Sequence, residues 1–395
     1  MAERAAGPER GAGEQAAAAV RRARLYARNW VAHLARRAGE RGGAGPGVFA
    51  DLGGLAPGRY GYLLLKFLSL AGYRVVLRHD ARRFTAGDYG ELVFRIPGLR
   101  IALAPPRDPA SFIYLADGAA PRPGGRYAAL PWRAAVRVDV DVFSEDARRP
   151  GALHVPFPMH PLVYHLRLDA EIPRLREAPR VVRILFAGNQ DAEAYGPSSV
   201  ARFGVVPRHE LLEHVRATLR PGELAEVADA GELPAVGDAY RPMLLLVDTT
   251  RCWIPREAWL GTLARSDFFL APPGVAMPLC HNLVEAMAVG TVPITEYGSL
   301  LPVPLEHRRN CVAFRGRAEL PDVLREVLAM HRSDVERMRR EVIRYYEEHL
   351  APESFGRRLA AVPPGGVTAY MAAEHASVRA LDAATRGGAG AGDPG

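Results

Sequence analysis

Cysteine is scarce. The chain of 395 residues has three, Cys252, Cys280 and Cys311. An odd and widely spaced set offers neither a disulfide framework nor a pair at zinc spacing, so the three read as thiols in a reducing compartment. Lysine is scarcer still: Lys66 stands alone, and almost all the charge behind the formal net of +7 is arginine. Arginine beside abundant alanine and glycine reflects coding composition as readily as function. No basic groove interleaved with aromatic residues stands out, so nucleic acid is not an expected partner. No apolar run reaches the roughly 18 residues that would cross a bilayer. Arg21, Arg22, Arg24 and Arg28 interrupt any signal-peptide core. A cytoplasmic location is expected, with attachment to the inner membrane face as the variant of it. The remaining composition, 48% hydrophobic and 24% charged, is that of a globular protein. At roughly 150 residues per domain the length implies two domains and some excess.

Along the chain, residues 1–46 read as a basic arm. Val20, Tyr26, Ala27, Trp30, Val31 and Leu34 recur at helical steps between arginines, and the first 41 residues hold nine arginines against four glutamates. The pattern predicts an amphipathic helix over 14–38, packed on its own protein or touching an anionic membrane surface. Val48–Leu52 then reads as a buried strand, Gly53–Tyr60 as a glycine-studded loop, Tyr62–Ala71 as a helix and Arg74–Leu77 as a strand. That succession opens a doubly wound α/β domain, expected over 47–175. Ile101–Ala104, Phe112–Ala116 and Val136–Val142 supply further strands. Three prolines rule out regular structure over Pro156–Pro161, and the linker between domains is expected near 165–180.

A second α/β pattern, expected over 176–350, begins with the strand Val181–Ala187 and the loop Gly188-Asn189-Gln190. Met243–Asp248 is a nearly continuous apolar run, as a central parallel strand requires. The most informative stretch follows. Phe268–Ala271 is a strand, Pro272-Pro273-Gly274 a sharp loop, Leu279–Val289 a helix closed by Gly290, and Val292–Thr295 another strand. Free N–H groups at a helix start facing the strand ends can hold phosphate oxygens without any lysine. Glu285, farther along the helix, can accept hydrogen bonds from ribose hydroxyls. Residues 351–395 are expected to be a helix and, after about Ala383, a disordered Gly/Ala tail.

Pro272, Gly274, Glu285, Ala286, Gly290, Pro293 and Ile294 together resemble the donor-binding domain of GT-B glycosyltransferases, most of all the exostosin-like group. Ile184–Asn189 and Arg208 with Leu211 fit the same group, and the likeness covers about residues 181–350. It implies two Rossmann-like domains facing across a cleft. The implied activity is transfer of a sugar from a nucleotide-sugar to an acceptor hydroxyl on a glycan, small molecule or natural product, with no cofactor or metal. Donor-binding residues implied are Gly188, Asn189, Arg208, Arg251, Pro272, Gly274, Leu279, Cys280, His281, Asn282 and Glu285. Retaining relatives carry two glutamates eight positions apart. Here Met277 takes the place of the first, which favours inversion.

Inversion needs a general base. Asp51, His160 and Asp191 are the candidates, with Asp80 and Asp117 in comparable positions after strands. Asp139-Val140-Asp141 imitates a metal-binding pair but alternates with valines as a half-buried strand does. Two other functions fit the same residues: a catalytically silent binding or scaffold protein, and a nucleotide-sugar epimerase.

Overall fold

The computed structural model describes residues 12–39, 45–53, 58–79, 89–118, 127–196, 200–235 and 237–389. Gly54–Pro57 of the first glycine loop and Asp80 lie outside them. The chain forms two compact units. Unit 1 comprises Met1–Val138 and Ala361–Val367, and unit 2 comprises Asp139–Ala360 and Thr368–Gly395. The division falls earlier in sequence than the expected linker, so the proline-rich stretch Pro156–Pro161 belongs wholly to unit 2.

Unit 1 begins with helix α1 (Ala12–Gly39). Strands β1 (Gly47–Asp51), β2 (Arg74–Arg78), β3 (Arg100–Ala102), β4 (Phe112–Asp117) and β5 (Ala134–Asp139) follow, with α2 (Arg59–Leu70) between β1 and β2. All the pairings are parallel and the order is β3-β2-β1-β4-β5. Every residue of β1 and β4 is buried, as their unbroken apolar runs require. β5 stops at Asp139, short of the expected Val142. The Asp139 carboxylate accepts the amide of Asp141 at 3.0 Å, a side-chain turn that ends the ladder.

Helix α1 docks through one face. Tyr26 Oη lies 3.3 Å from His79 Nε2, Trp30 meets the rings of His33 and His79, and Arg36 Nε donates to Phe94 O. The other face leaves Val20, Val31 and Leu34 respectively 51%, 64% and 48% exposed.

Unit 2 carries the second parallel sheet. Its strands are β7 (Val182–Gly188), β8 (Leu224–Val227), β9 (Arg241–Asp248), β10 (Ser266–Leu270), β11 (Val292–Thr295) and β12 (Val312–Ala313). The short β6 (Leu153–His154) pairs in parallel with β13 (Gly366–Tyr370), outside this sheet and at the far end of the order that begins with β3. The sheet order is β12-β11-β10-β7-β9-β8. From β7 the chain goes to β8 and β9 on one side; from β10 it goes to β11 and β12 on the other. The reversal between β7 and β10 is the switch point at which open α/β sheets bind ligands beyond the carboxyl ends of their strands. Helices α3 (Pro161–His165), α4 (Arg208–Thr218), α5 (Arg256–Leu263), α6 (His281–Ala288), α7 (Gly316–Leu328), α8 (Arg332–Tyr345), α9 (Pro352–Ala360) and α10 (His375–Ala389) are among the helices of this half, with two single turns at Glu145–Arg148 and Ile172–Arg176 besides. α6 starts two residues later than expected and ends where Gly290 takes a φ of 77°, a left-handed exit that suits glycine. Of the tail expected to be disordered after about Ala383, α10 takes in Ala384–Ala389, and 390–395 lie outside the described residues. Among the described residues no helix is long and apolar enough to cross a membrane. Both halves are therefore parallel Rossmann-like α/β sheets.

Candidate functional site

The loops after β7 and β9 and the start of α6 converge on one cavity of about 280 Å³. Its walls include six of the expected donor residues: Gly188, Asn189, Arg208, Cys280, His281 and Asn282. The amides at the start of α6 have no acceptor within the helix. Its N-cap, Cys280, makes no side-chain capping bond, and the Leu283 amide donates to Cys280 O at 3.1 Å.

Arg208 dominates the electrostatics. The residue is only 3% exposed. Nε donates to Pro273 O at 3.1 Å, one terminal nitrogen donates to Asn189 O at 3.1 Å, and the other lies 3.7 Å from Cys280 Sγ. The Tyr195 ring lies 3.8 Å from the guanidinium carbon. Among the described residues no carboxylate is within ion-pair distance of it. A buried cation held by carbonyls, sulfur and a ring lacks a counter-charge, and a bound anion would supply one.

Glu285 plays a different part from the one expected. It has no exposed surface. Oε1 accepts the His160 N–H at 2.8 Å, and Oε2 accepts the Trp259 indole N–H at 2.6 Å. His281 Nδ1 is 3.2 Å from Oε2. A carboxylate only accepts, so the proton sits on Nδ1 and the ring is held by Glu285. Burial alone would raise the Glu285 pKa, but the His281 charge and these three hydrogen bonds pull it down to about 2. With both oxygens engaged inside unit 2, Glu285 orients His281 and has no face to offer a ribose.

The remaining expectations divide in the same way. Pro272, Gly274 and Leu279 support the cavity from behind. Pro272 O accepts Tyr297 Oη–H, and the Gly274 amide donates to Pro278 O at 3.0 Å. A Cβ on Gly274 would lie 2.7 Å from Met277 O, so the turn admits no side chain. Leu279 is 4% exposed and faces a separate apolar cavity. Arg251 is exposed in the turn after β9 and off the cavity wall, where Arg256 stands instead.

Of the expected bases, Asp51 is 1% exposed, ion-paired with Arg78 and within 3.3 Å of Tyr114 Oη, which makes it a structural anion of unit 1. Burial, then the nearby Asp51 charge, push the Tyr114 hydroxyl up to about 12. Asp191 Oδ1 accepts the amides of Glu193 and Ala194, the work of a turn residue. His160 is brought beside His281, ring centroids 5.3 Å apart, but its Nδ1 accepts the Leu162 amide. That bond places the neutral ring's proton on Nε2 and makes His160 a donor.

Sequence reading missed Tyr195, Thr249, Trp253, Ile254, Arg256 and Trp259 on the cavity wall. The position of Trp253-Ile254-Pro255-Arg256 directly after a central strand was the available signal. Trp253 is 70% exposed, an unusual setting for an indole.

At its other end α6 is anchored by cations. Arg176 Nε donates to Ala288 O and an Arg180 terminal nitrogen to Val289 O, each at 2.8 Å.

No family model matches the chain, and no curated protein matches it. Among solved structures it is similar to Anabaena Alr3699/HepE in complex with UDP, at 12% identity and a TM-score of 0.43 over 80% of this chain and 98% of that one. It is also similar to CalG4, the calicheamicin glycosyltransferase, at 13% identity and a TM-score of 0.35, covering 81% and 100%. The wall teichoic acid polymerase TagF follows at 8% identity and 0.29, covering 80% and 87%.

Proposed function

We propose that this protein transfers a sugar from a nucleotide-sugar to an acceptor hydroxyl, with unit 2 holding the donor. The observation that carries this reading is Arg208, a buried guanidinium with no carboxylate partner, set on the cavity at the open end of α6. The departing diphosphate gains negative charge as the bond to the sugar breaks. Arg208 offers it a fixed positive charge, beside the start of α6 and the His281 ring that Glu285 orients, an arrangement that needs no metal. Indole and imidazole surfaces line the rest of the wall and suit the flat faces of a nucleoside or sugar. Inversion rests on Met277, which occupies the place where retaining relatives of the resembled family carry a glutamate. Binding of UDP, GDP and dTDP by calorimetry, on wild type and Arg208→Gln, tests the donor site. Product analysis with the matching nucleotide-sugars tests the reaction. Equal affinity in the two proteins would overturn the site. Tight binding without hydrolysis or transfer would favour a scaffold, and an altered sugar still on its nucleotide an epimerase.

We also infer that α1 rests on an anionic membrane surface at the cytoplasmic face. Its exposed Val20, Val31 and Leu34 lie among Arg21, Arg22, Arg24 and Arg28, and this pairing of apolar and cationic side chains suits the headgroup boundary.

A further inference from the structure

Unit 2 holds a second cavity, of about 430 Å³, on the far side of the segment that opens α6. Leu279 lines it, whereas the next residue, Cys280, lines the Arg208 cavity. Cys280 is extended, with φ −130° and ψ 141°, and successive side chains of extended backbone point to opposite sides. Two cavities therefore back onto one stretch of chain.

The wall is largely apolar, with Phe143, Val155, Phe157, Leu279, Leu301 and Tyr370 on it. Its volume is that of a site for a small organic molecule. The rim is fixed in advance. Pro302 and Pro304 restrict the loop after β11. The Leu305 amide closes that loop on Gly298 O at 3.1 Å, and Tyr345 Oη donates to Val303 O. Elsewhere on the wall the Val155 amide donates to Tyr370 O at 2.9 Å, and the Phe143 ring packs on Phe203 with centroids 5.3 Å apart.

Charge on this wall is confined to one residue. Arg148, the last of the single turn Glu145–Arg148, is exposed there. Among the described residues no carboxylate lines the cavity, and none is within ion-pair distance of Arg148. Asp146 of the same turn pairs with Arg149 instead, at 3.0 Å. Glu145 and Asp146 are exposed and off the wall. His154 adds no charge: its Nε2–H donates to Ala147 O at 2.8 Å, and burial lowers its pKa. An arginine beside apolar surface covers it with its stem and offers its head to an anion. An apolar hollow with one unpaired cation thus suits a ring compound that carries an anionic group.

We propose that this cavity seats the acceptor of the transfer, an aromatic or alicyclic compound with an anionic group at Arg148 and its reacting hydroxyl towards the α6 segment. The acceptor role rests on the proposed glycosyl transfer; the binding of an apolar anion does not. In the transfer the hydroxyl oxygen bonds the anomeric carbon. The bond from that carbon to the diphosphate breaks, its electron pair leaves on the nucleotide, and the hydroxyl proton passes to water.

The experiment is calorimetric titration of the full chain with 6-hydroxy-2-naphthoate and with 2-naphthol, which lacks the carboxylate. Arg148→Gln should weaken naphthoate binding about three- to fivefold and leave naphthol binding unchanged. Ala372→Leu, which enlarges a side chain on the wall, should weaken both by roughly tenfold or more. If Ala372→Leu does not fold, Arg148→Gln decides alone, since Arg148 is exposed. UDP should bind Arg148→Gln as it binds wild type, and saturating UDP should not displace the naphthoate. With a nucleotide-sugar, Arg148→Gln should raise the KM for 6-hydroxy-2-naphthoate and leave kcat close to that of wild type. No naphthoate binding to wild type, or binding that neither variant weakens, overturns the proposal. So does displacement by UDP, which would put both compounds in one cavity. Naphthoate and nucleotide-sugar bound together with no glycoside formed overturns the acceptor role. Naphthoate binding without any nucleotide binding ends the transfer reading and leaves the apolar-anion site standing.

Discussion

The Trp259 indole N–H donates to Glu285 Oε2 at 2.6 Å, and the carboxylate it meets is wholly removed from solvent. An acidic side chain on a helix behind a ligand cavity has thus become an internal brace, tying α5 to α6 and fixing the His281 ring. Removing the donor while keeping the ring tests that role. Trp259→Phe should destabilise the protein by about 1.5–3 kcal/mol, the worth of a hydrogen bond to a charged group. Chemical denaturation measures it, and a loss near zero would show that the bond contributes nothing.

Glu285 also sets an acid limit. Its carboxyl is depressed from 4.5 to about 2. A depressed folded pKa gives stabilisation that is complete above 4.5 and is lost as pH falls towards 2. At ~1.4 kcal/mol per unit this amounts to about 3 kcal/mol. The stability difference between wild type and Glu285→Gln should therefore shrink over that range, as followed by denaturant midpoints at successive pH values. A difference independent of pH would mean that the Glu285 carboxyl has the same pKa in the folded and the unfolded chain.

Arg208→Lys should fail to restore nucleotide affinity. A lysine cannot reach Pro273 O and Asn189 O together while remaining against Tyr195, because it lacks the planar fork. Calorimetry with nucleoside diphosphates should give a loss of roughly tenfold or more, close to that of Arg208→Gln. Full affinity in the lysine variant would reduce the residue to a simple point charge.

Gly274→Ala should cost about 1–3 kcal/mol, since the added methyl meets a backbone oxygen that cannot swing away. Thermal unfolding reads this directly, and an unchanged midpoint would show that the loop relaxes.

Leu34→Asp with Val31→Asp should reduce co-sedimentation with vesicles containing anionic lipid, with no change in folding, because both side chains are exposed. Vesicles of neutral lipid alone should retain little of either protein. Unchanged sedimentation would remove the membrane from the function of α1.

Much of the fold could be read from apolar runs. Phe112–Ala116 and Met243–Asp248 announce strands buried on both faces, and Gly290 announces the end of α6. The cavity-lining loops were legible for a related reason: Gly188, Asn189 and Cys280–Asn282 lie directly after strands or at a helix start. The pairings were not legible. Asp51 meets Arg78 and Glu285 meets Trp259 only after distant segments are brought together, and whether a carboxylate is a base or a brace depends on that partner. Helical spacing does place His281 and Glu285 on one face, four residues apart. It cannot say that the pair is sealed from solvent.

For the proposed donor, the guanidinium pair on Ala288 O and Val289 O lowers the cost of capture at α6. Because its electronegative terminus is already neutralised and pinned, the segment behaves as a rigid strut between two loads. A guest arriving at the opposite terminus finds its dipoles aimed beforehand, and association there should proceed with little entropy spent on ordering the host.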